Sequence, residues 1–109
     1  MPSINIYTKE KNIKYLESIL FKLKEFIAKQ LSCKDRELAT SEISVRIIVP
    51  KVSYSIAETE VIITAHSYAE RIQNQDAICL SIKNFIMEQS PSLNSVYVWL
   101  QLSELGHSE

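Results

Sequence analysis

Glycine is almost missing: one occurs in 109 residues. A single glycine excludes the glycine-rich loops whose bare backbone cradles phosphates, and with them the common nucleotide-binding fingerprints. Cysteine is scarce as well. Cys33 and Cys79 lie far apart, outside any CxxC pair and away from histidine at metal-ligand spacing, so both read as reduced structural thiols and no metal or other cofactor is expected. Excess charge of either sign is lacking too. Twelve basic and 13 acidic residues leave a net charge of -1, which offers no footprint for a nucleic acid. No apolar run reaches the roughly 18 residues that a membrane span needs. Lys9, Glu10, Lys11 and Lys14 interrupt any apolar stretch near the start, so the pattern of a secretory leader is absent and a cytoplasmic protein is expected.

What is present is a core. Hydrophobic residues make up 46% of the chain, enough for one globular domain over residues 1–109. "SINIYT" (3–8) alternates and reads as a strand. Residues 12–31 place Leu16, Ile19, Leu20, Leu23, Phe26, Ile27 and Leu31 at spacings of three and four, an amphipathic helix. "EISVRIIV" (42–49) alternates again and Pro50 ends it. "TEVIITAHS" (59–67) is a third strand. Residues 74–89 form a second helix, with Asn74 as N-cap and Ile78, Ile82, Phe85 and Ile86 as its buried stripe. "SVYVWLQLS" (95–103) is the fourth strand.

The order is βαββαβ, an α+β class. It divides into two similar strand–helix–strand halves, about 2–50 and 58–103, joined by a link around "PKVSYSIA". A crossover helix is what joins parallel strands, so each half predicts a parallel pair. The whole predicts a four-stranded mixed sheet with both helices on one face. The opposite face would carry Arg46 and Ile48 from the second strand, Ile62, Thr64 and His66 from the third, and Tyr97, Trp99 and Gln101 from the fourth. Large aromatic and aliphatic side chains on an uncovered sheet face predict an interface, here with copies of the same chain.

Topology also predicts which groups share an end of the sheet. Pro2, just ahead of the first strand, would lie at the same end as the close of the first helix, with Lys34 and Arg36 after it. The third strand ends there and is followed by Tyr68 and Arg71; the fourth ends there near Glu104 and His107. Removal of Met1 would give Pro2 a secondary amine. Each of these groups has a plainer reading. Lys34 and Arg36 suit the dipole at a helix C-terminus, and Arg71 suits a surface pair with Glu70 or Asp76. His66 suits packing, and Tyr97 and Trp99 suit an interface.

These features together resemble the tautomerase superfamily, which includes 4-oxalocrotonate tautomerase, 5-carboxymethyl-2-hydroxymuconate isomerase and macrophage migration inhibitory factor. The Met1-Pro2 start directly on a strand, the βαββαβ duplication and the chain length carry the resemblance. Locally, "TAHSYAERIQ" is similar to the stretch after the third strand of the isomerase branch, where an arginine matching Arg71 belongs to the site. "VYVW" is similar to the last strand of the inhibitory-factor branch, whose tyrosine, matching Tyr97, lines a neighbour's pocket. A lysine after the first helix of that branch matches Lys34. Trp99 stands where that branch has asparagine. The resemblance implies a homotrimer with sites at subunit boundaries, a small carboxylate substrate, and Pro2 as the proton-transfer group. Lys34, Arg71, Tyr68, Tyr97 and Arg46 are the candidate substrate-binding residues. A ferredoxin-like binding module shares the same element order, and a catalytically silent member of the superfamily would share the residues.

Overall fold

The computed structural model describes residues 2–34 and 36–104. Met1 and His107 lie outside the described residues. Four strands form the sheet: β1 (Ser3–Tyr7), β2 (Ser44–Ile48), β3 (Thr59–His66) and β4 (Val96–Ser103). Three α-helices accompany them: α1 (Ile13–Leu31), α2 (Ala69–Gln73) and α3 (Gln75–Gln89), with single 3₁₀ turns at Glu10–Asn12 and Thr40–Glu42. The strand order is β2-β1-β3-β4. β1 runs parallel to β2 and β3 parallel to β4, while β1 and β3 meet antiparallel at the centre. This is the four-stranded mixed α+β sheet that the residue pattern predicts.

Alternation decides the two faces. Thr59, Val61, Ile63 and Ala65 of β3 are fully or almost fully buried, as are Ile4 and Ile6 of β1. They form one core with Leu16, Ile19, Leu23, Ile27 and Leu31 of α1 and Ile78, Ile82 and Ile86 of α3. Both long helices therefore cover the same side. Phe26 and Phe85 stack between them with ring centroids 4.3 Å apart and planes 8° from parallel, an aromatic contact that fixes the helices relative to each other. On the other side of the sheet Tyr97 and Trp99 remain 41% and 47% exposed.

Two details depart from the sequence reading. The segment after β3 forms a helix of its own, α2, before α3 begins. Asn74 sits between them as C-cap of one and N-cap of the other, yet its side chain does not cap α3. Its Nδ2 donates instead to the Glu70 carbonyl at 2.9 Å, which also accepts from Asn74 N at 3.2 Å. No described helix is long and apolar enough to cross a membrane.

The register places the residues of interest. Ser3 lies opposite both Ser44 and Thr64, and His66 opposite Ser103. The start of β1, the start of β2 and the ends of β3 and β4 thus share one end of the sheet. At the other end Tyr7 lies opposite Ile48 and Glu60, and Glu60 opposite Tyr97.

Candidate active site

Pro2 is buried and opens the central strand β1 from the helix-covered side. Its carbonyl accepts a hydrogen bond from Ser44 N at 3.2 Å. A proline has no backbone N–H to contribute to the ladder, so the first position of a strand is where it fits without loss.

Arg71 defines the same end. In a short helix of this sequence, amphipathic logic would bury Ile72 and expose Arg71. The structure does the reverse: Ile72 is 55% exposed and Arg71 3%. The guanidinium explains the inversion. Its Nε donates to the Leu31 carbonyl at 2.8 Å, and its Nη1 donates to the His66 carbonyl at 2.8 Å. One side chain thereby satisfies the last turn of α1 and the last residue of β3, and its positive charge meets the negative end of the α1 dipole. The Arg71 Cζ also lies 4.8 Å from the centroid of the Tyr68 ring, within cation–π range. The Tyr68 ring in turn meets His66 edge-on at 4.8 Å.

The remaining nitrogen, Nη2, is buried and has no hydrogen-bond partner. Burial pushes the guanidinium below the usual arginine range, while Cys33 and Tyr68 pull it back up and Arg36 lowers it. An arginine nonetheless stays charged in a protein. The ion pairs among the described residues, Lys11–Glu58 and Arg36–Glu42, do not include it. The surface-pair reading of Arg71 with Glu70 or Asp76 is thus overturned: the cation is buried and held by carbonyls.

Lys34 is exposed in the turn after α1. It lines a broad groove of about 540 Å3 with Lys29, Glu37 and Glu70. An adjoining cavity of about 270 Å3 lies between the end of α1 and the α2–α3 corner, lined by Cys33, Arg71, Asn74 and Ser81 among others. Pro2 lines neither. Arg36, two positions after Lys34, pairs with Glu42, whose carboxyl is held below its usual range chiefly by the backbone N–H of Ala39.

Two candidates stand elsewhere. Arg46 lies exposed on the uncovered face, midway along the edge strand β2 and opposite Asn5. Tyr97 is the second residue of β4, at the far end, with Lys83 Nζ 5.5 Å from its ring centroid. One chain therefore gathers Pro2, Arg71, Tyr68 and Lys34 at one end and leaves Arg46 and Tyr97 away from it. Cys33 is the group that sequence reasoning passed over. Its proximity to Arg71 depends on a contact across 38 positions, and no local spacing signals that. Among the described residues no cluster of three or more His, Cys, Asp or Glu side chains is arranged to hold a metal.

No family model matches the sequence, and no curated protein matches it. Solved structures match in fold. A fused 4-OT symmetric trimer superposes with a TM-score of 0.63 at 11% identity, over 98% of this chain and 92% of the other. MIF2 of Leishmania major gives 0.59 at 10% identity, covering 100% of this chain and 94% of its own. A 5-carboxymethyl-2-hydroxymuconate isomerase from Deinococcus radiodurans R1 gives 0.56 at 10% identity, over 96% and 83%. The chain shares its fold with these structures.

Proposed function

We propose that the chain is a tautomerase-type isomerase. It would move a proton between carbon and oxygen, or between two carbons, of a small enol or unsaturated carboxylic acid, with Pro2 as the general base and acid after removal of Met1. The observation that carries this reading is the placement of Pro2. In a tautomerase fold it is buried at the start of a central strand, at the sheet end where Arg71 holds a buried positive charge.

The chemistry suits the residue. An α-amino group titrates near ~8. Desolvation and neighbouring cations both disfavour the ammonium and lower that value toward neutrality. A base poised near the working pH is what proton transfer requires. Arg71 contributes positive potential toward a carboxylate and a developing enolate. Two of its five N–H donors hold Leu31 and His66, which leaves one N–H on Nη1 and two on Nη2. Lys34 adds charge at the groove and Tyr68 supports the guanidinium.

Within one chain the site is open, because the cavities beside Arg71 do not reach Pro2. A homotrimer supplies the missing walls in this reading. The exposed Tyr97 and Trp99, together with Arg46, would then belong to a neighbour's site, and the names of the fused 4-OT trimers of like fold support the assembly.

The test is ketonisation of phenylenolpyruvate or 2-hydroxymuconate by protein whose intact mass shows Met1 removed. Pro2→Ala keeps an amine but makes it primary and loosely held. The expected loss is about 10²-fold or more, as for other positioned proton-transfer groups. Full rate in Pro2→Ala, or no turnover of either enol by the processed wild type, overturns the reading in favour of a binding module.

A further inference from the structure

The link between β2 and β3 and the uncovered face of the sheet enclose a cavity of about 260 Å3, at the end away from Pro2. Tyr7 of β1, Glu60 and Ile62 of β3, and Pro50 of the link line it. Tyr7, Glu60 and Ile62 are half-buried within one chain, whereas Tyr97 and Trp99 on the same face are exposed. The cavity is thus formed without a second copy. Three charged residues line it: Lys9, Glu58 and Glu60. Glu58 is already engaged, because its Oε1 accepts from Asn12 Nδ2 at 2.8 Å and pairs with Lys11 at 3.4 Å. Lys9 and Glu60 take part in neither ion pair among the described residues. One positive and one negative charge therefore line the same cavity without neutralising each other, beside the apolar surface of Tyr7, Pro50 and Ile62.

We infer that this cavity is a binding site for a zwitterionic α-amino acid with an apolar side chain. Its ammonium group meets Glu60, and Tyr7, opposite Glu60 in the register, supplies a π face for the cation. Its carboxylate meets Lys9. Hydrogen bonds between ionised partners are the strong ones. The ligand's side chain packs against Pro50 and Ile62. A ligand with a single charge leaves either Lys9 or Glu60 without a partner, and a zwitterion satisfies both. The volume lies just below the roughly 300 Å3 at which small-molecule pockets begin, which suits one amino acid and not a peptide. The site uses neither Pro2 nor Arg71, so it stands or falls apart from the isomerase reading.

The experiment is calorimetric titration of the full chain with L-phenylalanine and L-leucine. 2-Phenylethylamine, which lacks the carboxylate, and 3-phenylpropionate, which lacks the ammonium group, serve as single-charge analogues. At least one of the two amino acids is expected to bind saturably, and each analogue at least about 10-fold more weakly than phenylalanine. Glu60→Gln should weaken the amino acid at least about 10-fold and leave 3-phenylpropionate unchanged. Lys9→Gln should weaken it too and leave 2-phenylethylamine unchanged. Pro2→Ala should bind as the wild type does. No saturable binding of either amino acid up to about 10 mM overturns the proposal, as does an analogue that binds as tightly as phenylalanine. Binding that survives Glu60→Gln and is lost in Pro2→Ala assigns the ligand to the other end of the sheet and overturns it equally. Should a variant misfold, the comparison of the four ligands on the wild type decides.

Discussion

The two ends of the sheet handle buried polarity in opposite ways. At the end away from Pro2, the polar groups pair with one another. Thr8 and Thr59, 4% and 0% exposed, share a hydroxyl hydrogen bond of 2.9 Å. Asn12 Nδ2 donates to Thr8 Oγ1 at 3.2 Å and to Glu58 Oε1 at 2.8 Å, and Lys11 pairs with Glu58 at 3.4 Å. Glu58 N donates to Ser95 Oγ at 2.8 Å. The network ties the end of β1 to the starts of β3 and β4. At the Pro2 end a cation is buried with one nitrogen left over. A satisfied network specifies and stabilises; a buried donor left unpaired costs free energy. The contrast separates the end of the sheet whose buried polar groups satisfy one another from the end where the proposed isomerase site lies.

The largest expected effect comes from Arg71→Ala. It strips hydrogen bonds from two buried carbonyls, at about 1–3 kcal/mol for each group left unsatisfied. If Arg71 binds the substrate as proposed, the substitution also removes that charged contact, so both the urea midpoint and the Michaelis constant for an enol carboxylate should change. A shifted midpoint with an unchanged Michaelis constant would make Arg71 purely a clamp between α1 and β3. Asn12→Ala probes the other end. It leaves Thr8 and Glu58 short of a donor, with a stability loss of about 1–3 kcal/mol, and turnover in the folded fraction should stay at the wild-type rate. A matching loss of turnover would erase the distinction between the ends.

The pH dependence sharpens it further. Asn12 is the main reason that the Glu58 carboxyl sits below its usual 4.5, opposed by desolvation and helped by Lys11. The folded state therefore holds this proton less tightly than the unfolded chain. The stabilisation is present above about pH 4.5 and is lost as pH falls through the folded value. Wild type and Glu58→Gln should accordingly differ in urea midpoint at neutral pH and converge in acid. A constant gap down to pH 3 would rule out the charge of Glu58 as the cause.

Lys34→Ala should have the smallest effect. The side chain is exposed, and charge contacts of that kind contribute about 0–1 kcal/mol. A rise in the Michaelis constant of less than about 5-fold is expected. A far larger rise would mean that a neighbouring chain buries Lys34 at the site.

Much of the architecture was written in periodicity. The α1 stripe from Leu16 to Leu31 and the alternation of "EVIITAH" are local patterns; the elements bury most of the residues that those patterns mark, with Leu20 and Phe26 half-buried at the edge of the core. The order of elements then restricts the sheet to a few topologies, and Pro2 falls at the end that this order predicts. α2 escaped because five residues are too few to carry a period, and because its buried residue is Arg71 rather than Ile72.

By itself, then, the sequence determined the βαββαβ order, the covered and uncovered faces, and the end of the sheet to which Pro2, Lys34 and Arg71 go, because each follows from side-chain spacing along a single element. Only the tertiary structure decided that Arg71 is a buried clamp and not a surface ion. Only it decided that Cys33 lies beside that charge, and that Thr8, Asn12, Glu58 and Thr59 form one network. Beside the local contacts Asn12–Thr8 and Arg71–His66, these depend on partners 40 to 51 positions apart, or across a cavity. The free energy of a polar contact is set by which atoms burial brings together, and no local pattern along the chain encodes that.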